Sequence, residues 1–286
     1  MKAKIQFVFL IYCCFSCQQE EWTLLIDRNM SKWDNYLSYK HRLGYNGSVP
    51  VDSLGNEILP IGLNHDTLGV FTIIEEDGEP VIRVSGEYYG CLISKREYEN
   101  YHLRLQVKWG NKKWPPRELL LKDAGILYHS VGSMGAEYWR SWMLSQEFQI
   151  MEGHMGDYWS QATSAIDIRA YQPEHVMNPV ADVNQPFLSM GQNQEIGGYC
   201  MRSANYEKPV GQWNTLDLIC YKGKSIHIVN GEITMVLKDS RYIDKGQVIA
   251  LVRGKIQLQS EASEVYYKDV KIKELNSLPI VYQQLF

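Results

Sequence analysis

Acid, amide, imidazole and aromatic side chains crowd into residues 145–159, SQEFQIMEGHMGDYW. Carboxylates and imidazoles move protons, carboxamides hydrogen-bond to hydroxyls, and flat amphipathic rings suit stacking on sugars. In an extended strand alternate side chains share a face, so Glu147 and Gln149 point together while Phe148 and Ile150 point the other way. Glu152 faces oppositely to Glu147 in a regular strand. A bulge near Gly153 would turn it back, and bulges do re-aim side chains beside active sites. His154, Asp157, Tyr158 and Trp159 follow at once. The plain alternative is a sheet strand with one solvated face, on which two glutamates need no chemistry.

Such a stretch needs a sheet to hold it. Residues 101–109 (YHLRLQVKW) put Tyr101, Leu103, Leu105, Val107 and Trp109 on one side and His102, Arg104, Gln106 and Lys108 on the other. That is the pattern of a sheet with one buried face. Strand-like runs recur at 21–26, 70–74, 81–85, 90–94, 213–221, 225–229, 232–237, 255–259 and 265–275. Asn230-Gly231 is a hairpin cue. Residues 123–130 (DAGILYHS) place Gly125, Leu127 and His129 on one face. His227, between Ile226 and Ile228, reads as a surface strand residue. Residues 39–67 read as a long loop packed over a face, and 167–195, with three prolines, as irregular. No helical period and no repeat appears. Many short strands at close spacing predict an all-β sandwich of two antiparallel sheets, one domain over 22–275 with a tail at 276–286.

The chain has 286 residues, 45% of them hydrophobic, and a net charge of -4 with no basic run, which argues against a nucleic-acid partner. Its 19 Tyr and 8 Trp supply both β-core and sugar-stacking surface. Lys2 and Lys4 followed by the short apolar run 5–15 form a targeting segment, too short to span a membrane. Ser16-Cys17 followed by polar residues resembles a lipoprotein cleavage site. Residues 1–16 are expected to leave as a signal peptide, with Cys17 acylated, residues 17–21 a tether, and the protein anchored by lipid in the periplasm or at the outer membrane. A plain secretory signal is the alternative. Cys91, Cys200 and Cys220 then remain, with no CxxC, which fits neither a disulfide framework nor a zinc site. One disulfide among them stays open.

Several segments together resemble one family: GEYYGCLISKREYENYHLRLQVKWG (86–110), DAGILYHSVG (123–132), SQEFQIMEG with GDYW (145–159), GQWNTLDLICYKGKSIHIVNGEI (211–233) and GKIQLQSEASEVYYKDVKIKEL (254–275). Their order and spacing are similar to those of the 3-keto-disaccharide hydrolase domain family, common in secreted proteins and lipoproteins of Bacteroidetes and Planctomycetes. The resemblance implies a concanavalin A-like jelly roll and cleavage of glycosides whose sugar carries a ketone at carbon 3. Many members have a His soon after the Leu-Gln of the late strand. This chain has Gln259-Ser260-Glu261-Ala262, as a Leu-Gln-Ser-Glu subgroup does.

A ketone at carbon 3 acidifies the proton on carbon 2, so a base can form an enolate and expel the aglycone from carbon 1 by β-elimination. His129 is the expected base because imidazole titrates near neutral pH, with Glu147 and Glu152 sharing or orienting it. Lys108 and Arg117 are candidates for the ketone or enolate oxygen. Gln149, His154, Asp157, Gln259, Trp109 and Trp159 are candidates for holding the sugar. Two other readings stand beside this one. In a retaining glycosidase of laminarinase type, Glu147 and Glu152 carry the Glu-x-x-x-x-Glu spacing with Gln149 where Asp is usual. In a carbohydrate-binding protein without catalysis, Trp109, Trp139, Trp142 and Trp159 stack on the ligand. No cofactor is certain, but a divalent metal held by His129, Glu147, Gln149, Glu152 and His154 is an open alternative.

Overall fold

A computed structural model describes residues 21–286. The signal segment, the residues up to 20 and the acylation expected at Cys17 lie outside the described residues. The described chain is a jelly-roll sandwich of a 12-stranded and an 8-stranded sheet, every neighbouring strand pair antiparallel. Its helix, among the described residues, is the short piece Ile280–Gln283.

The alternation at 101–109 sets the inner face of the larger sheet. In the strand Tyr101–Lys113, Leu103, Leu105 and Val107 are buried, while His102, Arg104 and Lys108 face outward. Opposite them, the smaller sheet turns Leu92, Ile126, Phe148, Ile150, Ile256 and Leu258 into the same core. Burying side chains of this size is worth about 1.5–3 kcal/mol each, so register is strongly specified: a one-residue slip would put the polar face inside.

Three adjacent strands of the smaller sheet matter most: Leu144–Met151, Asp123–Val131 and Lys255–Ser260. Because Phe148, Ile126 and Leu258 face the core, their neighbours Glu147, Gln149, Gly125, Leu127, Gln257 and Gln259 must line the opposite face. The register sets Gly125 beside Gln149 and Leu127 beside Glu147. Leu258↔Ile126 and Asp123↔Glu261 continue on the other side and bring Gln259 level with Gly125.

Several expectations change. The stretch 167–195 is not wholly irregular: Ser164–Tyr171 and Phe187–Gly191 are paired strands. The prolines fall outside them, as the missing N–H requires. His227 is buried rather than at the surface. It stacks on Phe148 (centroids 4.3 Å, 6° between planes) and meets the Tyr128 hydroxyl at 3.2 Å, and burial depresses its pKa to about 3. Its strand, Lys224–Val229, packs at the junction of two cores, so both faces are covered. Cys91, Cys200 and Cys220 are all free thiols and buried.

Candidate active site

The outward face of the smaller sheet carries a cleft of about 830 Å³, within the range of small-molecule sites. Glu147, Gln149, Asp123, Arg117 and Glu261 contribute to its lining from below. Trp139, Tyr138 and Trp142 stand on one side and Trp159 and Gln161 on another. The first of these walls is two interlocked loops. Tyr45 from the 39–67 loop stacks on Trp139 (5.2 Å, 16°), and the Tyr45 and Tyr138 hydroxyls each donate to the other's backbone carbonyl. Inside the wall the Glu137 carboxylate accepts from the backbone N–H of Trp139, Ser141 (2.7 Å) and Trp142 (3.0 Å), which fixes the turn that presents the indoles.

Arg117 reaches the floor from the loop after the Tyr101–Lys113 strand and forms ion pairs with Asp123 and, at 2.9 Å, with Glu261. Glu147 lies alongside, and its Oε2 accepts from the Gln161 carboxamide. All three acids are nearly inaccessible to water. Burial, and then the Glu261 and Asp123 charges, push the Glu147 carboxyl well above the usual carboxylate range. Burial and Glu261 raise Asp123 in the same way; burial raises Glu261, opposed by Arg117. One guanidinium cannot neutralise three carboxylates in so dry a place, so the floor disfavours ionising all three at once.

Several polar atoms at this floor have no protein partner: Gln149 Oε1, Asp123 Oδ1, Arg117 Nε and both amide atoms of Gln259. Buried polar groups are ordinarily paired, so this is unspent hydrogen-bonding capacity in and beneath the floor.

The structure brings together Glu147, Gln149, Arg117 and Trp159 as the sequence suggested, with Gln259 beside them under the floor. It separates the others. His129 does not line the cleft. The strand bulges between Tyr128 and Val131, and His129 takes a left-handed φ of 54°. This rotates the ring among Tyr101 and Tyr128 in the interior, where burial holds its pKa at about 4. The expected base is therefore displaced from the cleft, whose titratable acids are instead Asp123, Glu137, Glu147 and Glu261. Glu152 also lies outside. The strand ends at Met151 without a bulge that would bring the carboxylate back, and Glu152 instead accepts from the Lys122 backbone N–H at 3.3 Å. The Glu147/Glu152 pair of a retaining glycosidase is thus not assembled. Lys108 is on the outer face of the other sheet, bound to Glu76 at 2.9 Å, and Trp109 is in the core. Asp157 is a buried clamp. It accepts from the Tyr199 hydroxyl and from Arg202 at 2.9 Å, with His154 at 3.2 Å, and so secures the turn that leads to Trp159.

The proposed metal donors His129, Glu147, Gln149, Glu152 and His154 accordingly do not converge. Among the described residues no group of three or more His, Cys, Asp or Glu side chains has the geometry to hold a metal ion.

Asp123, Glu261, Glu137 and Gln161 were missed. Asp123 and Glu261 sit in segments already singled out, but nothing in a sequence says that Arg117 joins Asp123 to Glu261, which lies 144 residues beyond Arg117.

A jelly-roll sandwich whose outer face holds a cleft of sugar size, walled by indoles and floored by acids and amides, is a carbohydrate-active protein. The family model of the 3-keto-alpha-glucoside-1,2-lyase-like domain matches residues 21–273, and the chain belongs to that family. Among curated proteins none matches it in sequence. Among solved structures the chain is similar to a protein from Parabacteroides distasonis named as a candidate glycosyl hydrolase (17% identity, TM-score 0.48, 89% of this chain and 100% of the other covered). It is also similar to a carbohydrate binding module from Bacillus subtilis (10% identity, TM-score 0.39, 71% and 92%). A third similar structure is LamAcat from Zobellia galactanivorans (10% identity, TM-score 0.39, 85% and 91%).

Proposed function

We propose that the protein cleaves glycosides whose sugar is a ketone at carbon 3, by β-elimination across carbons 1 and 2. The observation that carries this reading is the crowding of Glu147 against Asp123 and Glu261, two acids that share the single cation Arg117. Elimination needs a base and an acid in one dry site, and like charges crowded around one counterion supply both.

In the first step the Glu147 carboxylate takes the carbon-2 proton. The electron pair of that C–H bond moves into the carbonyl to give an enolate, whose oxygen Arg117 stabilises. The pair then returns, a C1=C2 double bond forms, and the C1–O bond breaks. The departing aglycone oxygen takes a proton from Asp123 or Glu261, whichever holds one. Addition of water across C1=C2 gives net hydrolysis. Trp139 and Trp159 hold the sugar ring.

Incubating pure protein with a 3-keto-α-glucoside and with its unoxidised parent tests the reading. Release of aglycone from the keto sugar alone is expected. Binding of both without turnover would instead favour a carbohydrate-binding role. A chelator should leave turnover unchanged; loss that a divalent ion restores would contradict the metal-independent steps.

The reading includes a lipid anchor at Cys17, motivated by the short apolar run before Ser16-Cys17. Cys17→Ala should move the protein from the membrane fraction to the soluble one. Wild-type protein already soluble and free of lipid in its native host would sink the anchor.

A further inference from the structure

We infer that Gln259 is a positioning residue for Glu147, a carboxamide that donates to the ionised carboxyl, accepts from the protonated one, and meets it across Gly125. The observation is a void shared by two oxygens. A Cβ on residue 125 would stand 2.3 Å from Glu147 Oε1 and 2.5 Å from Gln259 Oε1. Both groups therefore lean into the space that glycine leaves, from strands on either side. The other carboxylate oxygen, Oε2, is already held by Gln161, while Gln259 is fully buried with neither amide atom partnered.

Two facing acceptors are a poor arrangement, and it has two remedies. If Glu147 is protonated, its O–H donates to Gln259 Oε1. If Glu147 is ionised, rotating the amide by half a turn presents Nε2–H instead; a carboxamide has both functions on one planar group. Glu147 can then take a proton from carbon 2 and release it later without leaving its place. The other groups acting on this carboxyl are Asp123 on the neighbouring strand, Glu261 beyond Gln259 and Glu137 from the loop wall, and Arg117 is paired with the first two of these. Arg117 is occupied by Asp123 and Glu261, so Gln259 is the neutral partner that can follow Glu147 in both states.

This inference rests on Glu147 being the proton-transferring group of the proposed reaction, but its test needs no substrate. Carbon-13 NMR of the Glu147 carboxyl and nitrogen-15 NMR of side-chain amides are followed against pH in the wild type and in Gln259→Leu. In the wild type the Gln259 amide protons should shift with the Glu147 midpoint. In Gln259→Leu that midpoint should rise by about one pH unit, because the ionised form loses a donor. Gln259→Leu leaves the buried Glu147 Oε1 without its partner, so the variant should melt lower than the wild type, and more so where Glu147 is ionised. Wild-type Gln259 amide signals that ignore the Glu147 titration would overturn the inference, even if the variant failed to fold. An unmoved midpoint in a folded variant would overturn it equally. Coupled titration in a protein inactive on keto sugars would leave the positioning intact and remove the proposed reaction.

Discussion

Glu147→Gln should lower kcat on a 3-keto glycoside by about 10²–10⁴-fold, the range that positioned acid–base groups contribute, while binding of the sugar changes far less. Gln preserves the shape and the contact with Gln161 but cannot take a proton. The cleft walls, Trp139, Trp159 and the loop behind them, are untouched, so affinity has no reason to collapse. Turnover and equilibrium binding measured on the same preparation check this. Unchanged turnover would remove Glu147 from the chemistry and with it the argument from crowded acids.

The second large effect concerns stability. Arg117→Ala should cost about 3–5 kcal/mol, as removing one member of a buried ion-paired group does, because Asp123 and Glu261 would face each other without a counterion. The pH dependence has a definite sign. Asp123, Glu147 and Glu261 all have folded pKa values raised above those of the unfolded chain. A raised carboxyl contributes stability that is fully present below the ordinary carboxylate pKa and is lost as pH climbs through the folded value. Arg117 opposes this loss in the wild type. The variant should therefore be most stable at mildly acidic pH and fall more steeply toward neutrality than the parent. Thermal unfolding across that range reads it directly. A variant equally destabilised at every pH would mean that Arg117 acts through packing of its stem alone.

The parts of this molecule that were legible in its sequence are those where alternation runs unbroken. Tyr101 to Val107 declares the inner face of one sheet, and the same logic, applied to Glu147 and Gln149, puts both on the cleft side. Followed strictly, it also sets Glu152 on the wrong face, where it is found. The failures begin where the period breaks or where position depends on distant chain. His129 keeps step with Gly125 and Leu127 in the letters, but the bulge after Tyr128 rotates it inward, and bulges leave little trace in composition. His227 sits on a strand buried on both faces, where alternation carries no information about solvent. Lys108 and Trp109 were candidates by residue type, yet adjacent strand residues must point to opposite sides, one to solvent and one to the core. Arg117, Asp123 and Glu261 become a site only through a register between strands far apart in sequence. Gly125 was visible as a glycine; that it makes room for two functional groups was not.

The central claim is that a proton leaves carbon 2 before the glycosidic bond breaks, and a substrate deuterated at carbon 2 tests it most directly. Elimination requires a slower rate for the deuterated sugar, loss of label to solvent whenever Glu147 exchanges its deuteron before water adds, and no loss of label above the uncatalysed background in Glu147→Gln. A released keto sugar that keeps its carbon-2 deuterium, with the unoxidised glycoside cleaved equally well, would contradict the account.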